Sequence, residues 1–295
     1  MNNPKVSVCI VTYNQEKYIK QCVESILNQD VDFPFEVIVG DDCSTDKTLE
    51  ILKSISIENT NLFIIERKKN IGGSANYIDT HKRSKGVYTC HCDGDDYWLP
   101  NKLKLQVNAM DSTPNCNLSW TRAVLVNPQG IIKEDLNNNV EFLNNRFTRA
   151  SVIRYMALGV NSSLMYRTDC KIGYLPSFDI LDWYANIERI GDGVAIYASD
   201  IPLTAYRTFV GVSSAGNKVL NVIAKTMNLL SLRYPQHKSD LALVALLSSY
   251  SAFKKKEFIL ASKFLSLSLK CSIKGGISLK EIKIFLEEVK FLKIR

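Results

Sequence analysis

Residues 89–98, Thr-Cys-His-Cys-Asp-Gly-Asp-Asp-Tyr-Trp, form a short apolar run that ends in three carboxylates. Carboxylates this close together repel one another unless a positive charge lies between them, and an open α/β sheet presents its ligand site at the ends of its strands. Asp93 and Asp95 make an Asp-x-Asp pair, and Gly94 between them allows a tight turn. The pattern predicts a site for Mg²⁺ or Mn²⁺, which are usually held by one or two carboxylates together with substrate phosphates. A solvated turn is the alternative for this segment taken alone.

The composition is that of a globular protein. The chain has 295 residues, of which 46% are hydrophobic and 23% charged, and this allows one sizeable α/β domain with an appendage. Eight cysteines lie mostly in apolar runs without a Cys-x-x-Cys pair, which favours reduced thiols in a cytosolic protein. We find neither a signal-peptide pattern nor the roughly 18 consecutive apolar residues of a membrane span. We therefore expect a cytoplasmic protein that is soluble, or at most peripheral at the inner face of the cell membrane.

Apolar runs alternate with helical periodicity over the first hundred residues. The first run is continuous and rich in β-branched residues, as expected of a strand buried on both faces of a parallel sheet. The short connections between elements predict a mostly parallel sheet with helices on both faces. The predicted strands are Lys5–Tyr13, Phe35–Gly40, Leu62–Glu66 and Val87–Cys92, and the predicted helices are Glu16–Asn28, Ser44–Ile55 and Gly73–Ser84.

The pattern becomes less regular after residue 98. It predicts a helix over Lys102–Met110, strands over Leu118–Val126, Asn161–Arg167, Val194–Ala198 and Leu203–Arg207, and a mobile loop over Asn137–Asn145. From residue 217 onward it predicts helices only, over 218–232, 240–253, 257–271 and 279–293. Residues 217–295 carry 15 lysines and arginines against 5 acidic residues, whereas 1–216 carry 22 against 25. We therefore divide the chain into an α/β domain, 1–216, and a basic helical region, 217–295.

Four motifs occur in an order that resembles the family 2 glycosyltransferases of GT-A fold. They are Val-Ser-Val-Cys-Ile-Val-Thr-Tyr-Asn (6–14), Val-Ile-Val-Gly-Asp-Asp-Cys-Ser-Thr-Asp (37–46), Asn-Ile-Gly (70–72) and Asp-Gly-Asp-Asp-Tyr-Trp (93–98). The resemblance covers roughly residues 4–210, and the ordered combination is far more specific than an Asp-x-Asp pair alone. It implies a Rossmann-like GT-A fold with a nucleotide-sugar half over about 1–100 and an acceptor half over about 101–216.

The resemblance implies that residues after the first two strands bind the donor nucleotide. Asp42, or its neighbour Asp41, would accept a hydrogen bond from the base. A carboxylate there matches the imide N–H of uracil, which favours a UDP-sugar without excluding dTDP. The other residues placed against the nucleotide are Thr12, Tyr13, Asn14 and Glu16.

At the phosphate end, the resemblance assigns Asp95 as the ligand of the metal that bridges the donor diphosphate. Asp93, with Gly94 beside it, would approach the ribose or the metal. The family often carries Arg at the position of Tyr77, so contacts to the diphosphate would come instead from Arg83, from Lys82 or from the metal.

A second departure concerns the metal. Relatives often place His shortly after a Tyr-Arg pair, where it completes the metal site, whereas this chain has Phe209 after Tyr206-Arg207-Thr208. The metal would then be held mostly by Asp95 and the diphosphate.

The catalytic base is expected in the second half of the chain, because direct displacement needs a group that removes the proton of the acceptor hydroxyl. Residues 177–184, Ser-Phe-Asp-Ile-Leu-Asp-Trp-Tyr, are similar to the family's acidic segment, which lies just before a helix on the acceptor side. This similarity makes Asp182 the expected base and Asp179 the second candidate. The alternative role for Asp182 is an N-cap of the helix at 183–190, which is compatible with catalysis.

The function implied is that of an inverting, metal-dependent glycosyltransferase of surface-polysaccharide assembly. It would transfer a hexose or N-acetylhexosamine from a nucleotide-diphosphate sugar to a sugar hydroxyl of a glycan or a polyprenyl-diphosphate-linked acceptor. One alternative is a nucleotidyltransferase using Mg²⁺, but Tyr13–Glu16 is not the Gly-rich, basic loop expected of one. The other is a non-catalytic protein whose basic tail binds a membrane or nucleic acid. A basic tail without an aromatic-interleaved groove argues against nucleic acid. The tail helices either pack as a cap on the catalytic domain with their lysines in solvent, or also turn those lysines toward an anionic bilayer, and both can hold at once.

Overall fold

The computed structural model describes residues 3–136, 139–208, 217–275, 278, 280 and 282–286. Within these ranges the chain forms one mixed sheet, helices on both of its faces and a helical C-terminal part. The α/β class and the helical extension are thus confirmed. The predicted boundary between the two parts, at residue 216, lies outside the described residues.

The elements of the first half of the sheet are β1 (Val6–Thr12), α1 (Ile19–Leu27), β2 (Phe35–Asp41), α2 (Thr48–Glu58), β3 (Leu62–Glu66), α3 (Gly73–His81) and β4 (Tyr88–Asp93). The strands of this half are parallel, in the order β3-β2-β1-β4. β1, β2 and β4 are buried along nearly all of their length, which is why the sequence predicted them well, whereas β3 is partly exposed.

The elements beyond β4 are β5 (Tyr97–Trp98), α4 (Lys102–Ser112), β6 (Cys116–Val126), β7 (Ile132–Leu136), α5 (Val140–Leu143), α6 (Arg149–Tyr155), β8 (Met165–Arg167), α7 (Asp182–Ile190) and β9 (Val194–Arg207). This half of the sheet is mixed. Antiparallel pairs join β4 to β8 and β8 to β6, while β6 and β9 are parallel.

Three predictions in this half were wrong in detail. The strand expected over Asn161–Arg167 begins only at Met165, since Asn161–Ser163 form a 3-10 turn. The two strands expected at Val194–Ala198 and Leu203–Arg207 are the single strand β9, whose pairing with β6 shifts register at the polar interruption. The expected loop over 137–145 contains α5, and residues 137 and 138 lie outside the described ranges.

Two hydrophobic cores cover the two faces of the sheet. Val6, Val8 and Ile10 of β1 belong to the core beneath α1, α2 and α4. Because side chains alternate along a strand, Cys9 of the same strand faces α3, where its thiol lies 3.7 Å from the Thr80 carbonyl oxygen. The second core packs α6 and α7 against the helical C-terminal part.

The C-terminal part consists of α8 (Asn217–Arg233), α9 (Lys238–Lys254) and α10 (Phe258–Gly275), followed by helical residues 280 and 282–286. The first three helices agree with prediction, and most of the fourth, 279–293, lies outside the described residues. Their apolar faces share one core with α7, as Met227, Val244 and Phe264 cluster with Trp183 and Ile187. Within the described ranges we find no helix with the length and apolar character needed to span a bilayer.

Candidate functional site

The C-terminal ends of three parallel strands meet at one edge of the sheet. Strand pairing places Val11 opposite Asp93 and Thr12 opposite Asp41, so the ends of β1, β2 and β4 are neighbours. The loops that follow these strands carry most of the residues assigned to the donor site. Parallel strands therefore bring together three motifs that are far apart in sequence.

Gly94 fits the turn after β4 because no other residue has room there. A Cβ at this position would lie 2.3 Å from Gln15 Oε1 and 2.8 Å from Thr12 Oγ1. The Gly94 N–H donates to the Val11 carbonyl at 3.0 Å, which holds the turn against the end of β1. Thr12 and Gly94, both assigned to the donor site, are thus in direct contact range.

Asp93 is the carboxylate of the turn that is open to solvent, with 36% of its side chain exposed. His91 Nε2 lies 3.1 Å from one carboxylate oxygen, and Ser162 donates to the other at 3.4 Å. Burial acts to raise the pKa of Asp93, but the interactions with His91 and Ser162 outweigh it and hold the pKa below its ordinary value. Asp93 is therefore an ionised oxygen ligand ready for a cation.

Asp95 and Asp96 are buried close to that charge. Burial, together with repulsion from Asp93, raises the pKa of Asp95 to about 6, and only 7% of the residue is exposed. Burial and the neighbouring carboxylates likewise raise the pKa of Asp96. The Asp96 oxygens accept from the Arg207 N–H at 2.7 Å and from the Ser162 hydroxyl, so this residue is held by internal partners. The ligand role of Asp95 stays a prediction.

The donor set suits a hard divalent cation, since Asp93 and Asp95 offer carboxylate oxygens whose mutual repulsion such an ion relieves. Across the described ranges there is no group of three or more His, Cys, Asp or Glu side chains placed to bind a metal. Two carboxylates would thus need substrate oxygens to complete the coordination. Phe209, at the position where relatives often carry a third ligand, lies outside the described residues.

Polar side chains tie together the loops after β1 and β2. Asn14 has a left-handed backbone (φ 53°), and its Oδ1 accepts from the Thr45 N–H at 2.8 Å. Glu16 Oε2 accepts from the Lys47 N–H at 3.0 Å. Tyr13, between them, leaves 46% of its surface exposed at this edge. Hydrogen bonds thus hold the two loops together, and the exposed Tyr13 side chain is accessible to a ligand.

Asp41 and Asp42 both accept hydrogen bonds from the protein. Asp41 accepts from the Ser44 N–H at 3.0 Å and from the Ser44 hydroxyl. Asp42 accepts from the N–H groups of Ile71 and Gly72 at 2.8 and 2.9 Å, which links the Asn-Ile-Gly motif to the end of β2. Each carboxylate therefore shapes the loops, and a contact with a nucleotide base would be additional to these bonds.

Arg83 is the assigned donor residue that the structure does not bring to this edge. It follows α3 and pairs with Asp79 at 3.2 Å, at the level where Ser84 contacts the middle of β1. Since α3 starts at the strand ends and runs back along the sheet, Arg83, which follows the end of the helix, lies farther from that edge.

Asp182 is the first residue of α7, with Leu181 as the N-cap, so the expected N-cap role for Asp182 is wrong by one position. Burial is the main cause that raises the pKa of Asp182, and the charge of Asp93 adds to it, against a hydrogen bond from the Trp183 N–H. The helix is fixed in place by the Trp183 indole, which donates to the Val152 carbonyl at 3.0 Å. Asp179 lies in the preceding segment and is exposed.

Sequence reasoning missed the support beneath the carboxylates. His91 Nδ1 lies 3.0 Å from His81 Nε2, and His81 Nδ1 lies 2.7 Å from the Tyr166 hydroxyl. This chain of hydrogen bonds runs from Asp93 into the core under α3. His91 was visible in the strand sequence, but Ser162 and Tyr166, which are distant along the chain, had no local signal.

Comparison with known proteins relates the chain to one family. Residues 7–160 match the family model "Glycosyl transferase family 2". An uncharacterised protein of Mycobacterium tuberculosis is 33% identical over 198 residues, which are 65% of this chain and 56% of that protein. The chain thus spans little more than half the length of this relative.

Two further similarities cover more of the compared proteins. TuaG of Bacillus subtilis, named as a candidate teichuronic acid biosynthesis glycosyltransferase, is 26% identical over 219 residues, 73% of this chain and 83% of TuaG. The crystal structure of S. aureus TarS 1–349 in complex with UDP-GlcNAc superimposes with a TM-score of 0.62 at 23% identity, covering 97% of this chain and 80% of that one. The structural match establishes the fold alone.

Proposed function

The chain belongs to glycosyltransferase family 2, and from that premise we propose that it transfers a sugar from a nucleotide-diphosphate sugar to a hydroxyl group of a glycan, with inversion at the anomeric carbon. The observation that carries the proposal is the position of Asp93 and Asp95 where the ends of β1, β2 and β4 meet. Burial is the main cause of the raised pKa of Asp182 and the charge of Asp93 adds to it, which supports a role for Asp182 near this edge. Since the matched family is one of glycosyltransferases, the nucleotidyltransferase alternative is set aside.

We infer a UDP-sugar as donor and a surface polysaccharide or its lipid-linked precursor as acceptor. The UDP-GlcNAc bound to TarS and the teichuronic acid assignment of TuaG support this choice. In the proposed complex the exposed Tyr13 ring lies against the uracil, beside Thr12. Each carboxylate oxygen accepts more than one hydrogen bond, so Asp41 or Asp42 can accept from the uracil imide while it still holds its own loop.

The carboxylates after β4 act on the diphosphate end of the donor. A Mn²⁺ or Mg²⁺ ion held by Asp95 and Asp93 would neutralise the charge that develops on the leaving diphosphate. Ser162 and His91 orient Asp93 by hydrogen bonds, and the contacts of Gly94 with Thr12 fix where the turn lies. The protein thereby presents preorganised oxygen ligands and avoids reorganisation during the reaction.

Asp182 is proposed to take the acceptor proton. As the acceptor oxygen bonds to the anomeric carbon, the bond from that carbon to the diphosphate oxygen breaks, and the hydroxyl proton passes to the Asp182 carboxylate. A base with a raised pKa is more effective at this step. Charge develops on the sugar ring as in glycoside hydrolysis, although here a sugar hydroxyl replaces water. Asp179 remains the second candidate for the base.

The test is turnover by the purified chain. We expect release of UDP from a UDP-sugar such as UDP-GlcNAc, dependent on Mn²⁺ or Mg²⁺, slow with water and faster when an oligosaccharide acceptor is added. Screening several nucleotide sugars identifies the donor. Absence of metal-dependent turnover with every nucleotide sugar would refute the proposed activity.

Asp182→Asn tests the base. We expect kcat to fall on the order of 10²-fold or more, while the affinity for UDP measured by calorimetry stays the same. Asp179→Asn is the matched control, since it removes a neighbouring carboxylate. If Asp182→Asn retains full activity and Asp179→Asn loses it, Asp179 is the base.

We also propose that the α9–α10 connection contacts an anionic bilayer. Phe253, Phe258 and Ile259 are exposed there, and the consecutive lysines Lys254–Lys256 lie between them. Aromatic side chains suit the interface of a membrane, and basic residues near an anionic surface each contribute about 1 kcal/mol. Such contact would bring the active site to a lipid-linked acceptor.

A further inference from the structure

A cavity of about 370 Å³ lies between the end of α3 and the segment that follows β8. Its walls include His81 and Tyr166, which belong to the hydrogen-bond chain that starts at Asp93. His91 and His81 lie between this cavity and the carboxylates, as His91 contacts Asp93 and His81 contacts His91. The cavity is therefore separate from the proposed catalytic edge.

The charged side chains that line the cavity are Lys82, Lys171 and Arg189, and no carboxylate lines it. Arg189 is 4% exposed, and its Nε is a buried polar atom without a hydrogen-bond partner. Its guanidinium donates to the Tyr77 hydroxyl and stacks on the Tyr166 ring, with Cζ 3.9 Å from the ring centre. In the described part of the chain no carboxylate forms an ion pair with it.

A buried cation without a counter-charge is costly. The Tyr77 and Tyr166 rings and the C-terminal end of α7 compensate only part of the positive charge of Arg189. The helix end contributes only about half an elementary negative charge. An anion in the cavity would supply the missing negative charge beside the Arg189 guanidinium.

Part of the remaining wall is apolar, formed by Ile78, Ile172 and Leu175, and Ser84 and Thr168 add hydroxyl groups. A volume of this size falls within the range of small-molecule sites. We propose that the cavity binds a small organic anion, with its phosphate, sulfate or carboxylate group against Arg189 and its apolar body against these three side chains. Lys82 and Lys171, both exposed, attract the anion at the mouth. The proposal does not depend on the proposed glycosyl transfer.

Phenyl phosphate is the probe, and titration calorimetry of the full chain saturated with UDP is the first measurement. We expect saturable binding of one equivalent, with none for the neutral analogue benzyl alcohol. Lys82→Gln combined with Lys171→Gln should weaken binding at least fivefold. Lys85→Gln, an exposed lysine that does not line the cavity, should leave binding unchanged. Absence of saturable binding to the UDP-saturated chain, or equal affinity in the double variant, would overturn the proposal.

Cysteine alkylation tests the location in the unaltered protein. Cys170 lines the cavity, and the only other cysteine that is not buried is Cys43 in the loop after β2. Without UDP present, phenyl phosphate should slow the reaction of Cys170 with N-ethylmaleimide severalfold, measured by mass spectrometry, and leave the rate at Cys43 unchanged. Protection of Cys43 alone would place the probe at the donor loops, and equal rates at Cys170 with and without probe would exclude the cavity.

Discussion

At the scale of single residues, Asp95 carries a buried charge that the turn after β4 does not fully compensate. Burial and repulsion from Asp93 raise its pKa from 3.8 to about 6. The folded protein therefore binds more protons than the unfolded chain between these values, and without a cation its stability falls as the pH rises through that window. At pH 7 the ionised Asp95 destabilises the metal-free fold.

Asp95→Asn should consequently have opposite effects on stability and activity. Removing the buried charge should raise the unfolding free energy of the metal-free protein at pH 7 by about 1–3 kcal/mol, measured by denaturant titration. The same change should remove the rise in Tm caused by Mn²⁺ and most of the turnover, because a neutral amide is a poor ligand for a hard cation. Asp30→Asn, at an exposed carboxylate, is the control. Near-normal rates of Asp95→Asn at limiting Mn²⁺ would show the metal assignment to be wrong.

Gly94→Ala tests the contact between the turn and the loop after β1. The new methyl group would collide with Gln15 Oε1 and Thr12 Oγ1, so the turn or the loop must move. We expect the KM for the donor to rise about tenfold, corresponding to about 1.4 kcal/mol. Gly73→Ala is the matched control, because a Cβ there meets no atom within 4 Å. An unchanged donor KM in Gly94→Ala would contradict this account of the turn.

Much of the site was predictable at this scale because its residues follow strands directly. Asp93, Thr12 and Asp41 were placed together by the rule that parallel strands present ligand sites at one end. Ser162 was not predictable, since it reaches Asp93 and Asp96 from a segment more than 60 residues away. The donor role of Arg83 stays a prediction without geometric support.

At the scale of elements, α7 connects the proposed base to the C-terminal helices. Asp182 stands at its first residue, and Glu188, one turn and a half later, accepts from Arg233 Nη2 at 3.2 Å and from the Tyr234 hydroxyl at 2.6 Å. The Glu188 side chain is only 3% exposed. The orientation of the base thus depends on a buried polar contact with α8 and the residue after it.

Glu188→Ala should loosen this connection. Because it leaves the Tyr234 hydroxyl and the Arg233 guanidinium without their acceptor, we expect a loss of about 1–3 kcal/mol in unfolding free energy, together with a lower kcat and an unchanged UDP affinity. Glu24→Ala removes the exposed pair of Glu24 with Lys20 and should cost less than about 1 kcal/mol. Equal losses in the two variants would show that the buried contact is unimportant.

Long, buried strands were predicted accurately from the sequence, whereas short or polar strands were not. The continuous apolar runs of β1 and β2 were recognised, whereas the edge strand β7 is polar and β5 has two residues. β9 was read as two strands because Ser199–Ile201 interrupt it, although its pairing with β6 carries the strand through. The sequence pattern cannot show that tertiary pairing overrides a local break.

At the scale of the whole molecule, three of the excess basic residues in the C-terminal part lie together at one exposed connection between helices. Lys254–Lys256 lie at the connection of α9 and α10, where Phe253 and Phe258 stack edge to face with ring centres 5.7 Å apart. The inner faces of the same helices are buried in the core shared with α7. The faces that pack in the core and the surface that we propose contacts a membrane are therefore different.

Co-sedimentation with vesicles of varied anionic lipid content and salt tests the membrane contact. Replacing Lys254, Lys255 and Lys256 together by Gln should weaken binding about tenfold or more. Replacing Lys85, Lys104 and Lys133 by Gln removes the same charge at exposed positions elsewhere and should have a much smaller effect. Binding that is absent, or indifferent to both lipid charge and salt, would leave the helices with a packing role only.

The core shared by α7 and the C-terminal helices also determines how the chain can be recombined with its relatives. A chimaera joined at about residue 100 exchanges the loops after β1, β2 and β4 and keeps nearly all of that core intact, but it divides the core beneath α1, α2 and α4, where Val8 and Ile10 cluster with Leu103 and Met110. A chimaera joined at about residue 216 separates Trp183 and Ile187 from Met227 and Phe264 and leaves apolar surface on both pieces without its native partner. Acceptor recognition should thus transfer between family members only together with the helical tail, and nucleotide preference should transfer with the first hundred residues only when the residues of α4 are exchanged with them.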